Sequence, residues 1–207
     1  MLTVDLLATL VFAVSGGLTA VRARMDVVGV MVLAAVTGIG GGLIRDVLIG
    51  ATPPVTLTDW RYVVVPIVAG LATFLFHPQL GRLERPIKVF DAFGLGLFTV
   101  AGALKAADHG VTPIGAIALG VVTGVGGGVL RDILTNQVPL VLRKSELYAI
   151  PSAVGAALAV LGHRADQPDG LVLPVSAAVV IGWRLLAIWR GWTSPDVDHT
   201  ATWRRRA

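Results

Sequence analysis

Apolar residues along this chain fall in long continuous runs, at approximately 2–21, 27–49, 62–76, 89–107, 114–134, 147–161 and 171–188, and the polar residues collect between them. A bilayer hydrocarbon core needs roughly 20 apolar residues per helix, which is about the length of these runs. Short segments alternating apolar and polar would indicate a membrane β-barrel, and that pattern is missing. Helices are the remaining way to satisfy every backbone group in lipid. The pattern predicts an all-α integral membrane protein with seven transmembrane helices. The third run holds Pro66 and the sixth Pro151, and helix breakers of this kind are tolerated in membrane spans. The first run opens MLTVDLL, with an acid and no base, which is the wrong start for a cleaved signal peptide, so it is expected to be a helix of the protein.

The runs are not independent of one another. TGIGGGLIRD at 37–46 returns as TGVGGGVLRD at 123–132, a shift of 86 positions (131 − 45 for the arginines). The same shift places Asp5 on Asp91, Phe12 on Phe98, Gly16 on Gly102, Gly29 on Gly115, Pro53 on Pro139 and Tyr62 on Tyr148. The first six helices are therefore expected to be two copies of three, with repeat 1 at about 3–77 and repeat 2 at about 89–163. A seventh helix at about 170–190 and a short basic tail at 191–207 complete a single membrane domain spanning 1–207. An odd number of spans per copy makes the second copy enter the membrane from the opposite side. The expected architecture is two inverted repeats about an axis in the membrane plane, as in secondary transporters.

Composition agrees: 55% of the 207 residues are hydrophobic and 14% charged, where soluble domains carry about 25% charged residues. Mean hydropathy is +0.78. There is no cysteine, so disulfides and thiolate sites are excluded. The net charge of +4 and pI near 10.1 come from loop residues. Arg22, Arg24, Arg82, Arg85, Lys88, Arg143, Lys144, Arg190 and Arg204 to Arg206 fall on one side, Arg61 and Arg164 on the other. The positive-inside rule then puts the N-terminus outside and the C-terminus in the cytoplasm, with the protein in the cell membrane. Basic loops at one face suit anionic lipid headgroups, so lipid and not nucleic acid is the expected partner. The pairs Trp183–Arg184, Trp189–Arg190 and Trp203–Arg204 are placed in an interfacial belt. His77, His109, His163 and His199 share no spacing that would hold a metal. No nucleophile and base pair is evident, so neither an enzyme nor a resident cofactor is expected.

The decapeptide carries the candidate chemistry. It lacks the Lys-Ser/Thr of a phosphate loop and lies inside membrane-length runs. Each glycine costs a helix about 1 kcal/mol relative to alanine, so Gly40, Gly41 and Gly42, with Gly126, Gly127 and Gly128, are expected to break the second and fifth helices. The freed carbonyls would line an ion path near the midplane. Thr37 and Thr123, one turn earlier, either add an oxygen to that path or bond a carbonyl of their own helix. Charges at depth are costly and mark pathways or partners. Arg45 and Asp46 would lie at the outer mouth, Arg131 and Asp132 at the inner. Asp5 and Asp91 either pair with Arg45 and Arg131 within each repeat or face water at the interface. Lys105 either pairs with Asp108 three residues on or acts as a voltage-responsive charge at the pore mouth.

Two three-helix copies with TG(I/V)GGGxxRD on each second helix, followed by a seventh helix, resemble the prokaryotic trimeric intracellular cation (TRIC) channels, whose bacterial relatives are also labelled as glycine-transporter-domain proteins. The resemblance covers about residues 3–190. It implies a homotrimer with a pore in each subunit conducting K⁺ and, less selectively, Na⁺. It also implies pore residues at Gly40, Gly41, Gly42 and Arg45 and at Gly126, Gly127, Gly128 and Arg131. A secondary carrier of a small solute such as glycine is the alternative.

Overall fold

The computed structural model describes residues 2–76, 84–142 and 147–192. His77, Arg82, Arg143, Lys144, His199, Trp203 and the Arg204 to Arg206 tail lie outside the described residues. The described chain is all-helical: α1 (Leu2–Arg22), α2 (Val27–Leu48), α3 (Val55–Thr58), α4 (Arg61–Phe76), α5 (Glu84–Asp108), α6 (Pro113–Leu134), α7 (Ala149–Arg164) and α8 (Asp169–Arg190), with a 3-10 turn at Leu140–Leu142. Five of these, α1, α2, α5, α6 and α8, are long and apolar enough to cross a membrane. The two 16-residue helices α4 and α7 span about 24 Å, less than the roughly 30 Å hydrocarbon core. The four-residue α3 was not visible in the hydropathy pattern.

The helix ends follow the repeat. Asp26 caps α2 by accepting the Gly29 amide at 2.7 Å, and its counterpart Thr112 caps α6 through the Gly115 amide at 3.3 Å. The chain turns after α1 and α5 through left-handed residues at equivalent positions, Arg24 and Gly110, and again after α2 and α6 at Gly50 and Asn136. Ahead of α4, Asp59 accepts the Arg61 amide at 3.0 Å and its guanidinium at 2.7 Å, and that pairing holds the Asp59 carboxyl below the usual carboxylate range.

At the centre α1 packs on α2, α4 and α5, and α5 in turn packs on α6, α7 and α8. Phe12 of α1 and its counterpart Phe98 of α5 stack on each other, ring centroids 5.6 Å apart. Small residues let the helices approach: the Thr37 side chain fills the space over Gly16, and Thr123 fills the space over Gly102.

Candidate functional site: a glycine crossing between two buried charge groups

The triple glycines do not break their helices. Both α2 and α6 stay helical through Gly40 to Gly42 and Gly126 to Gly128, which corrects the expected breaks. The glycines are used instead to bring two helix backbones into contact. A methyl on Gly41 would strike the carbonyl oxygen of Thr123, and one on Gly127 would strike that of Thr37. The contact is reciprocal, equivalent residues touching equivalent residues. The loss of helix propensity at each glycine is offset by close interhelical packing that no side chain would permit. Around the crossing, a Cβ on Gly40 would meet Leu130 Cδ1 at 2.5 Å, and one on Gly126 the Gly41 Cα at 3.2 Å. Thr37 and Thr123 are fully buried, and each hydroxyl donates to the carbonyl one turn back, Leu33 and Leu119, at 2.6 Å.

One turn beyond the glycines, each helix feeds a buried ionic group. In the first, Arg45 Nε donates to Asp46 Oδ1 at 2.8 Å, and its two terminal nitrogens reach Asp5 Oδ1 and Oδ2 at 3.3 Å each. Tyr62 OH reaches Asp5 at 3.5 Å. The Val55 amide at the start of α3 donates to Asp46 Oδ2 at 3.2 Å. In the second, Arg131 Nε donates to Asp132 Oδ1 at 2.9 Å and Nη1 to Asp91 Oδ1 at 2.8 Å. The Leu140 amide, in the loop equivalent to that of Val55, donates to Asp132 Oδ2 at 2.8 Å. Bidentate and charge-assisted bonds of this kind are what a guanidinium needs to be stable out of water. The short α3 and the Leu140–Leu142 turn thus each lay one backbone amide on a motif aspartate.

Each group also recruits help from beyond its own repeat. Lys105 of α5 donates to Asp46 at 2.7 Å, so its partner is across the repeat boundary and not Asp108, which instead lies 3.5 Å from His163. Ser15 of α1 accepts from Arg131 Nη1 at 2.6 Å and itself donates to the Ile87 carbonyl at 3.3 Å. Arg184 of α8 is the largest departure from the sequence reading. Instead of lying in an interfacial belt it is fully buried. Its guanidinium sits 4.6 Å from the Tyr148 ring centre, donates to the Leu147 carbonyl at 3.0 Å, and comes within 4.0 Å of Asp91 Oδ2. A cleft of about 40 Å³ reaches Arg131 and Asp132 past Thr19, Arg22, Glu84 and Lys88. Among the described residues no cluster of His, Asp and Glu could hold a metal ion.

Comparison with known proteins bears on the family and the fold. The family profile described as Glycine transporter matches residues 2–78 and again 88–164. A membrane protein of Streptomyces coelicolor is 46% identical over 201 residues, covering 97% of this chain and 92% of that one. The Escherichia coli inner membrane protein YadS is 41% identical over 152 residues, 73% of each chain. The crystal structure of a TRIC trimeric intracellular cation channel orthologue from Rhodobacter sphaeroides superposes with a TM-score of 0.88 at 36% identity, covering 92% of this chain and 98% of that one. A second structure, described as explaining conductance through TRIC cation channels, matches at a TM-score of 0.84, also at 36% identity, over 95% and 96% of the two chains. Together these define an all-helical membrane protein of channel fold. The chain belongs to the prokaryotic TRIC channel family, a family of channels and not of enzymes.

Proposed function

We propose that this protein is a passive channel for monovalent cations, K⁺ and less selectively Na⁺, working in the cell membrane as a homotrimer with one pore per subunit. Each subunit crosses the membrane seven times, as two inverted three-helix repeats and the closing α8, with the N-terminus outside and the C-terminus in the cytoplasm. The repeats correspond to residues 3–77 and 89–163. Reciprocal contacts support the inversion: Gly41 on the Thr123 carbonyl against Gly127 on that of Thr37, and Phe12 on Phe98.

The observation that carries the reading is the pair of buried ionic groups on either side of the glycine crossing. An uncompensated arginine would repel a permeating cation strongly at low dielectric. Here both arginines are bound by two aspartates each, so they act as scaffold and gate elements that leave carboxylate oxygens near the path. Arg45, Asp46, Asp5 and Lys105 form the outer mouth; Arg131, Asp132 and Asp91 form the inner. Gly40 to Gly42 and Gly126 to Gly128, with the carbonyls of Thr37 and Thr123, form the constriction between them. Backbones touching at that point leave no room for an ion, so conduction requires α2 and α6 to separate there. Purified protein in a planar bilayer under a KCl gradient tests this directly. Discrete current steps reversing near the K⁺ potential are the expected result; saturable glycine uptake without steps would replace the channel by a carrier.

A further inference from the structure

Three helix ends meet around one histidine. His163, at the end of α7, sets its Nε2 3.5 Å from Asp108 Oδ1 at the end of α5 and its Nδ1 3.7 Å from Asp169 Oδ1 at the start of α8. A neutral imidazole has one N–H and can turn it toward one carboxylate; only the imidazolium has a donor for each. On the elements around it, Lys105 is bound to Asp46 at 2.7 Å, and His109 donates through Nδ1 to the Lys105 carbonyl at 2.8 Å. Arg164 and Asp166 share with His163 the wall of an open cavity of about 470 Å³. The remaining helix packed on α7, α6, carries no ionisable residue before Arg131. The His163 side chain is 33% exposed, so protons reach it from water.

We propose that His163 is a proton-sensitive clasp which, when charged, binds the ends of α5, α7 and α8 together and holds the channel shut; this rests on the channel reading above. Asp108 lies one turn beyond Lys105 on α5. Fixing that end of α5 fixes the base from which Lys105 reaches Asp46 of α2. Because α5 packs along α6, the Lys105 bridge ties α2 to the α5–α6 pair, and it is α2 and α6 that must part for an ion to pass. Histidine changes charge between about pH 5 and 8. The contribution of the clasp is therefore present at acid pH and lost as the pH rises, when one of the two carboxylates loses its donor.

The test uses the full-length protein in planar bilayers at about pH 5.5 and about pH 8, on either side of the histidine charge change, with thermal unfolding in detergent at the same two values as a second readout. Wild-type open probability is about threefold lower at the acid value, the scale of what an exposed ion pair is worth. His163→Gln loses this difference. His163→Arg, with a fixed charge and donors for both carboxylates, stays at the acid level throughout. His109→Gln keeps the wild-type response. In unfolding, wild type exceeds His163→Gln in stability at the acid value and matches it at the alkaline one. A current in His163→Gln that responds to pH as the wild type does overturns the inference, as does an unfolding difference that is the same at both values. If the wild type passes no cation current, the channel reading falls, and the unfolding comparison still decides whether the clasp exists. Should His163→Gln not fold, Asp108→Asn, at a side chain 47% exposed, takes its place and is held to the same outcomes.

Discussion

The Arg45 and Arg131 groups share a frame: arginine and aspartate adjacent on one helix, an aspartate from the repeat's first helix, a tyrosine from its third, and a loop amide on the motif aspartate. They differ in closure. The second cation of the Arg45 group, Lys105, keeps 23% of its side chain exposed, whereas that of the Arg131 group, Arg184, is wholly enclosed. What the repeat holds constant is the geometry of the arginine's bonds. What it leaves free is the source of the last positive charge. Taking charges out of water is costly unless they are paired, and any element long enough to reach can supply a partner.

The sharpest way to break the comparison is to remove each arginine. Arg131→Ala takes from Asp91 and Asp132 the arginine both are bonded to in a buried site, and loss of one partner of a buried pair costs about 3–5 kcal/mol. Arg45→Ala leaves Lys105 on Asp46 with partial access to water, so its cost should be about half as large. Thermal unfolding in detergent measures both. Equal losses would mean that exposure is not what separates the two groups.

A smaller effect sits on the glycines facing the groups. A methyl at Gly42 finds only Arg45 Nη2 at 3.8 Å and Phe98 Cε1 at 4.0 Å, ordinary contact. At the equivalent Gly128 it meets Tyr148 OH at 3.2 Å and Asp91 Oδ1 at 3.3 Å. Gly42→Ala is expected to be neutral or to stabilise by up to about 1 kcal/mol through helix propensity. Gly128→Ala should cost about 1–3 kcal/mol by overpacking and should alter conductance by shifting Tyr148. The same unfolding assay checks the ordering, and a reversal would show that the second site is the looser one.

Much of this frame was legible in the residues. Long apolar runs can only be helices in lipid, and a charge recurring at the same place in two such runs needs a partner or water, so Asp5 with Arg45 and Asp91 with Arg131 stood as one of two readings, and the ion pairs decide for it. The fate of the glycines could not. Three glycines favour a break and a close helix crossing equally well, and only the second backbone lying against the first decides for the crossing. Arg184 was missed because it lies outside the repeat and next to a tryptophan. Its one signal was a charge set inside the final apolar run, 171–188. For Lys105 the sequence offers Asp108, three residues on, or a charge at the pore mouth, because spacing reveals only partners on the same helix, and Asp46 is on another.

Lys105→Met sharpens the comparison from the open side. It leaves Asp46 with Arg45 and the Val55 amide, and water can reach the Lys105 position. Its cost should lie between those of surface and buried pairs, about 1–2 kcal/mol. If the Arg45 group lines the proposed cation path, the variant also makes that end more attractive to cations, seen as a larger K⁺ current at low KCl. No change in either readout would make Lys105 a snorkelling side chain with no part in the group.

The smallest effect tests whether the Arg131 group is closed by its own packing or by the rim of its cleft. Arg22 and Glu84 meet at that rim at 2.7 Å, with side chains 47% and 66% exposed. An exposed pair is worth about 0–1 kcal/mol and is screened by salt. Glu84→Gln should therefore shift the unfolding temperature by very little, and less still at high ionic strength. If the group is sealed from within, by Tyr148, Ser15 and Arg184, the K⁺ to Cl⁻ permeability ratio also stays at its wild-type value. A ratio that moves with Glu84→Gln would assign the closure of this mouth to the pair between α1 and α5, and the contrast between the two groups would then be one of rims and not of cores.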